Sequence, residues 1–208
     1  TRCEPRPGEA IAGGDGDRMN TLISPVTRLV LLAVTWLVWF AALVELRKSR
    51  RKKAEKIDQR ARWGLVLETA GYLIICTHTP EEWTQGIALW RAIAGCALAA
   101  VSIVVFWNAV GSLGSQWRFD AGLNPDHELV QRGAYRFVRH PIYASMFGML
   151  LSMAFLIGTM PGWPVAIVLF IVGTEIRVRV EDGLLRERFG ERFLAWRKST
   201  PAYLPFVR

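Results

Sequence analysis

The chain has 208 residues, of which 51% are hydrophobic, and it carries nine tryptophans and a net charge of +8. A soluble domain of this length interrupts its apolar stretches with charges, whereas residues 142–174 contain no Asp, Glu, Lys or Arg. Because a bilayer core about 30 Å thick needs about 20 apolar residues per helix, this run predicts two membrane helices joined by a turn. The composition therefore excludes an ordinary soluble domain, and no stretch alternates long enough to indicate a membrane barrel.

The N-terminal part of the chain predicts two membrane spans separated by a basic loop. Residues 1–24 are rich in Gly, Pro and charge, and we interpret them as a poorly ordered tail. A first span is expected at about 25–46, followed by residues 47–62, in which nine Lys and Arg stand against two acidic residues. We interpret this loop as a solvated linker. The second span, at about 63–79, is the weakest because it contains Glu68.

Three further spans are predicted at about 86–110, 142–159 and 164–182. Short basic loops stay on the cytoplasmic side of a membrane, and the two turns predicted outside carry no Lys or Arg. This bias puts the N-terminus outside and the C-terminus in the cytoplasm. We expect an all-α integral membrane protein of the cytoplasmic membrane, with residues 25–208 as a single domain. It should contain five transmembrane helices and an amphipathic C-terminal cytoplasmic helix.

The segment Arg139-His140-Pro141 marks the cytoplasmic start of the fourth span, since proline is favoured in the first turn of a helix. A helix start has unpaired N–H groups and a partial positive charge, which suit an anionic group such as a carboxylate. Tyr143 follows in the first turn. Taken alone, these residues are more typical of side chains that anchor a span at the interface.

The cytoplasmic end of the fifth span carries charges of both signs. Arg177 and Glu181 are four residues apart and therefore share a helix face. Because spans four and five form a hairpin, this face can meet the start of span four in a polar pocket. A buried Arg177 would need an anion, which Glu175, Glu181 or a substrate carboxylate could supply. A permanent Arg177–Glu181 ion pair and simple snorkelling charges are the alternatives.

The C-terminal tail alternates apolar and basic residues at helical spacing. Its apolar positions are Leu184, Leu185, Phe189, Phe193 and Trp196. This pattern predicts an amphipathic helix that lies on the membrane or over the pocket. Gly190, in the middle of the pattern, lowers helix stability and indicates a close approach or a break.

Several of these motifs together resemble the isoprenylcysteine carboxyl methyltransferase family of integral membrane methyltransferases, in its short bacterial form. The first motif is HELVQRGAYRFVRHPIY (residues 127–143). After Arg177 follow the acidic pair Glu181-Asp182 and the pair Leu184-Leu185. The last two motifs are FGERFLAW (residues 189–196) and PAYLP (residues 201–205). The resemblance covers roughly residues 90–208. It implies a five-span helical bundle that binds S-adenosylmethionine from the cytosol and a lipophilic, prenyl-like substrate that enters sideways from the bilayer.

The resemblance also implies roles for individual residues. Arg177 would face the acceptor group of the substrate. The cofactor contacts would be His127, Glu128, Leu129, Val130, Tyr135, His140, Pro141, Ile142, Tyr143 and Glu181. No metal is expected, because the three cysteines lack metal-ligand spacing.

A carboxylate acceptor fits the residues present, because a carboxylate is already ionised at neutral pH and needs no general base. The acidic pair here is Glu181-Asp182 where the family usually has two Glu, and this departure leaves the substrate open. One alternative is a phospholipid or lipid amine N-methyltransferase. A sterol-reductase-like enzyme that binds NADPH and a non-enzymatic membrane scaffold are the others.

Overall fold

The computed structural model describes residues 22–47, 56–77, 82, 84–118, 121–158 and 161–203, and α-helices dominate this part of the chain. The helices are α1 (Pro25–Arg47), α2 (Ala61–Ile75), α3 (Leu89–Leu113), α4 (Pro141–Ile157), α5 (Gly162–Phe189) and α6 (Glu191–Ser199). Short 3-10 helices occupy Gly114–Gln116 and Gly133–Arg136. The strands are β1 (Leu22–Ile23), β2 (Lys56–Ile57), β3 (Ile87–Ala88) and β4 (Gly122–Leu123).

The long helices pack as two pairs. Helix α2 lies along α5, α3 lies along α4, and α1 packs against α3 and α4. The first pair approaches closely at Gly64 and Gly173, because a Cβ on Gly64 would lie 2.4 Å from the Gly173 carbonyl oxygen. This close approach brings the middle of α2, including Glu68, directly against α5.

The outer faces of the bundle are apolar. Two segments of the described part are long and apolar enough to cross a membrane, judged by length and composition. They are Pro25–Ala42, which lies within α1, and Leu89–Gln116, which comprises α3 and the 3-10 helix after it. Helix α4 is apolar but has only 17 residues. Exposed aliphatic side chains on these outer faces include Val26, Val34, Leu37, Val101, Val104, Val165 and Val168. Such surfaces suit contact with lipid rather than water.

The prediction of a helical architecture is confirmed, whereas the count of five spans stays a prediction. Helix α1 and helix α4 agree with the predicted spans to within two residues. Helix α2 ends at Ile75 rather than 79, and residues 78–81 lie outside the described part of the chain. Helix α3 begins at Leu89 rather than 86, because residues 87 and 88 form a strand.

Two short antiparallel pairings depart from the purely helical prediction. Strand β1 pairs with β3, so residues 22 and 23 are ordered although the sequence assigned them to the tail. Strand β2 pairs with β4, and the Asp58 amide donates to the Ala121 carbonyl. The end of the 47–62 loop is therefore docked on the protein rather than fully solvated. Residues 1–21 and 48–55 lie outside the described part.

The tail forms two helices instead of one. Helix α5 continues past the predicted end at 182 to Phe189, and Gly190 then adopts a φ of 51°, a left-handed conformation that suits glycine. The expected break at Gly190 is thus present. Leu184, Phe193 and Trp196 are buried while the arginines between them are exposed, so the predicted amphipathic pattern is retained.

Candidate functional site

A cavity of about 320 Å³ opens at the end of the bundle where α4 begins and α5 emerges. Its lining divides into a polar pole and an aromatic pole. The polar pole includes His127, Glu128, Tyr135, His140, Tyr143, Arg177 and Glu181. The aromatic pole, nearer the middle of the bundle, includes Trp36, Trp39, Phe40, Tyr72 and Phe106. One continuous space therefore borders both ionisable groups and an apolar, lipid-like surface.

His140 is held between two carboxylates at the start of α4. Its Nε2 lies 2.9 Å from Asp182 Oδ1, and its Nδ1 lies 3.5 Å from Glu181 Oε2. Arg139 Nη1 lies 2.6 Å from Asp182 Oδ2. Pro141 occupies the first turn of the helix, as predicted. Since Arg139 and His140 are only 4% and 5% exposed, they are parts of a buried polar cluster and not interface anchors.

The C-terminal segment fixes the backbone of this cluster. The amides of Arg139 and His140 donate to the carbonyls of Pro201 and Ala202 at 2.8 and 2.9 Å. Arg139 Nε also donates to the Thr200 carbonyl at 3.0 Å. Pro201 and Ala202 of the PAYLP motif thus act structurally, by holding the two residues that contact Asp182.

Arg177 lies at the junction of three helices. Its Nε donates to the Tyr143 hydroxyl at 2.9 Å, and its Nη1 donates to Glu68 Oε2 at 3.1 Å. The Tyr143 hydroxyl in turn donates a short hydrogen bond to Glu181. The guanidinium also lies 5.1 Å from the centre of the Tyr143 ring. Glu68, Arg177, Tyr143 and Glu181 therefore form one connected chain, of which all members except Glu68 line the cavity.

The segment before α4 forms the other wall of the polar pole. The Glu128 amide donates to Gln116 Oε1 at 2.6 Å, which ties residues 127–130 to the 3-10 helix that follows α3. In the described part of the chain, no hydrogen-bond partner reaches the buried Nδ1 atom of His127. A buried imidazole nitrogen without a partner indicates a place where a ligand can donate or accept a hydrogen bond.

The structure brings the predicted site residues together. Ten of the eleven line the cavity, and Pro141 is buried at the first turn of α4 instead. Sequence reasoning missed Glu68 as the partner of Arg177, although a carboxylate inside an apolar span was its visible signal. It also missed Trp117, Arg118 and residues 121–123 in the cavity wall, for which the sequence offers no comparable signal.

The charges of the cluster alter the protonation of His140. Burial lowers the pKa of His140, but its hydrogen bonds with Asp182 and Glu181 and their negative charges outweigh burial. The net result is a pKa above the ordinary value of about 6.5. Burial instead lowers the pKa of His127, and the nearby charge of Arg188 adds to this effect.

These opposite shifts predict opposite effects of pH on stability. The protonated His140 contributes stability that is full below about pH 6.5 and is lost as pH rises through its raised folded pKa. His127, with a lowered pKa, instead loses its contribution as pH falls from about 6.5. Thermal unfolding of the detergent-solubilised protein at a series of pH values tests both effects. The wild type should lose stability at alkaline pH, and H140Q should not show this loss. The wild type should also lose stability at acidic pH, and H127Q should not show that loss. A pH profile unchanged by H140Q would contradict the assignment.

Comparisons with known proteins point to one family. Residues 90–192 match the model of a family described as phospholipid methyltransferase. The uncharacterized protein YpbQ of Bacillus subtilis is 29% identical over 115 residues, which cover 55% of this chain and 64% of that protein. The protein-S-isoprenylcysteine O-methyltransferase of Schizosaccharomyces pombe is 30% identical over 84 residues, which cover 40% of this chain and 36% of the enzyme.

A solved structure has the same fold. The eukaryotic intramembrane Ras methyltransferase, an isoprenylcysteine carboxyl methyltransferase, superposes with a TM-score of 0.54 at 18% identity, over 73% of this chain and 55% of that one. The chain therefore resembles the isoprenylcysteine carboxyl methyltransferases in both sequence and fold. The family resemblance read from the sequence is thus confirmed.

The likeness to these methyltransferases and the two long apolar helices both support the prediction of an integral membrane protein. The region that matches the family model, residues 90–192, contains all eleven predicted site residues. Helices α1 and α2, and with them Glu68, lie before that region. The alignments with the two relatives span 64% and 36% of their lengths.

Proposed function

We propose that the chain is an S-adenosylmethionine-dependent methyltransferase that acts at the membrane on the carboxylate of an isoprenylcysteine-like lipid. The similarity to methyltransferases supports a methyl donor as co-substrate. The observation that carries the proposal is the single cavity, because its polar pole suits a soluble, charged cofactor and its aromatic pole suits a lipophilic acceptor. Ligand sites commonly have volumes of about 300–1,000 Å³, and the space of about 320 Å³ lies within this range.

The residues of the polar pole fit S-adenosylmethionine. Its carboxylate suits the partial positive charge at the start of α4, and its ammonium group suits Glu181. The unpartnered Nδ1 of His127 is a further polar contact for it in the cavity wall. We assign the remaining cofactor contacts to residues 128–130, Tyr135, residues 141–142 and Tyr143. When bound, the cofactor supplies an electrophilic methyl group on a sulfonium.

The protein's own contribution is positioning and exclusion of water. Arg177 lines the polar pole of the cavity and holds the acceptor carboxylate there. A charged acceptor and a cationic donor become a neutral ester and a neutral by-product, and no proton moves. The buried, aromatic surroundings favour this loss of charge, because water no longer stabilises the separated ions. Orientation of the two reactants supplies the rest of the acceleration.

We propose the five-span topology for this enzyme, with the N-terminus outside, the cofactor pole in the cytoplasm and residues 25–208 as one domain. The acceptor enters sideways from the bilayer of the cytoplasmic membrane, toward the aromatic pole. A cysteine introduced into the 47–62 loop should be shielded from a membrane-impermeant thiol reagent in intact cells. A cysteine at Gln85 should be labelled. The opposite labelling pattern would reverse the proposed topology and place the cofactor pole outside the cytoplasm.

The function is tested with purified protein, radiolabelled S-adenosylmethionine and N-acetyl-S-farnesylcysteine. We expect label in a base-labile methyl ester, and we expect S-adenosylhomocysteine, but not NADPH, to raise the melting temperature. The description of the matched family supports one alternative, N-methylation of a phospholipid amine. Label in a base-stable phosphatidylethanolamine product, without ester formation, would establish that alternative. Stabilisation by NADPH alone would contradict both.

A further inference from the structure

We infer that Glu68 is a positioning residue that reduces the net charge of the acceptor site by neutralising Arg177. The inference rests on the proposed function, because it concerns how Arg177 meets the acceptor carboxylate. It also concerns a residue of α2, which lies before the region that matches the family model.

The contacts of Glu68 fix both its carboxylate and the guanidinium of Arg177. Glu68 is 1% exposed, and its Oε1 accepts a hydrogen bond from the Thr174 hydroxyl at 3.0 Å. Its Oε2 lies 3.1 Å from Arg177 Nη1. The close packing of Gly64 on Gly173 makes these contacts possible, since a side chain at either position would separate the helices. The carboxylate is therefore built into the α2–α5 interface.

Glu68 acts through Arg177 and not on the substrate. Arg177 lines the cavity, whereas Glu68 is not among the lining residues of the described part of the chain. Its charge is nevertheless felt at the site, because attraction between charges a few ångströms apart is strong where water is excluded. The acceptor therefore meets an arginine whose charge is already largely balanced.

This balance matters because the acceptor loses its charge during the reaction. A carboxylate oxygen forms a bond to the methyl carbon as the bond to sulfur breaks, with that electron pair remaining on sulfur. The transition state is consequently less negative at the acceptor than the bound carboxylate. An unbalanced arginine would stabilise the bound carboxylate more than the transition state and would slow the reaction. Glu68 limits this ground-state stabilisation.

Replacing Glu68 by the isosteric glutamine should therefore change KM and kcat in the same direction. In E68Q the full charge of Arg177 binds the carboxylate more tightly, so KM for N-acetyl-S-farnesylcysteine should fall. The value of kcat should fall as well, by about tenfold, as expected for the loss of one close charge partner. A purely structural loss would lower kcat without tightening acceptor binding, so this split separates the two roles.

A binding measurement tests the inference without turnover. Affinities for N-acetyl-S-farnesylcysteine and for its methyl ester are measured in the presence of S-adenosylhomocysteine, so that no methyl group is transferred. The preference for the acid over the ester should rise about tenfold in E68Q relative to the wild type. E191Q, the same chemical change at an exposed position of α6, should leave this preference unchanged.

Should E68Q fail to fold, E68D provides the test, because it keeps the charge but withdraws it by one methylene group. It should raise the acid preference by a smaller factor. An acid preference that is unchanged or reduced overturns the inference, as does the absence of acid binding in both wild type and variant. A raised preference in a protein that forms no ester would refute the proposed activity while leaving the role of Glu68 intact.

Discussion

Replacing Arg177 by lysine is expected to lower methyl transfer by at least about 100-fold while leaving the affinity for S-adenosylhomocysteine unchanged. Lysine can still reach Glu68 with a single point charge, so the buried ion pair survives in R177K. It cannot reproduce the planar guanidinium that holds the Tyr143 hydroxyl, Glu68 and an acceptor carboxylate in fixed directions. Turnover with a farnesylcysteine acceptor and isothermal titration of the cofactor product measure the two quantities.

The alanine variant is less informative alone, because it also destabilises the fold. R177A leaves Glu68 buried and unpaired, and breaking such a pair costs about 3–5 kcal/mol. The double variant R177M/E68Q removes both charges and should recover most of the stability without recovering activity. Near-native turnover in R177K would contradict the acceptor role of Arg177. Equal loss of cofactor affinity in R177K would favour a purely structural ion pair.

The hairpin of α4 and α5 could be predicted from the sequence because its signals are local. An uncharged run of 33 residues is interrupted by a Pro-Gly turn, and a proline stands at the first position of α4. The same hairpin necessarily places residues 139–143 beside residues 177–182. The cluster of His140, Glu181 and Asp182 was therefore accessible to reasoning about helix faces and membrane depth.

The partner of Arg177 could not be predicted in the same way. Glu175 and Glu181 are the partners that the sequence suggests, because they lie on the same helix, whereas Glu68 is 109 residues distant in sequence. The position of Glu68 relative to Arg177 depends on which helix packs against α5. The close packing of α2 on α5 involves Gly64 and Gly173, and their contact is visible only in the three-dimensional structure. In the structure, Glu175 accepts hydrogen bonds from Arg179 and Tyr203.

The wall formed by residues 121–123 illustrates another limit of sequence reasoning. Strands β2 and β4 have two residues each, too few for an alternating pattern to be recognised. Their pairing joins the end of the basic loop to the cavity wall through backbone groups, which carry no sequence signature. The break at Gly190 was easier to predict, because glycine inside a helical pattern is itself the signal.

Replacing Glu181 by glutamine is expected to weaken binding of S-adenosylhomocysteine by roughly 10–100-fold, the effect of losing one hydrogen bond to a charged group. Glutamine has the same shape and can still accept the hydrogen bond from Tyr143, so the variant should remain folded in detergent. The substitution removes the negative charge opposite the cofactor's ammonium group and also one of the two negative charges beside His140, where Asp182 remains. E187Q, the same change at an exposed position farther along α5, is the matched control and should bind normally. Because Glu181 lies 3.5 Å from His140 inside the cavity wall, unchanged affinity in a folded E181Q would count decisively against this placement of the cofactor.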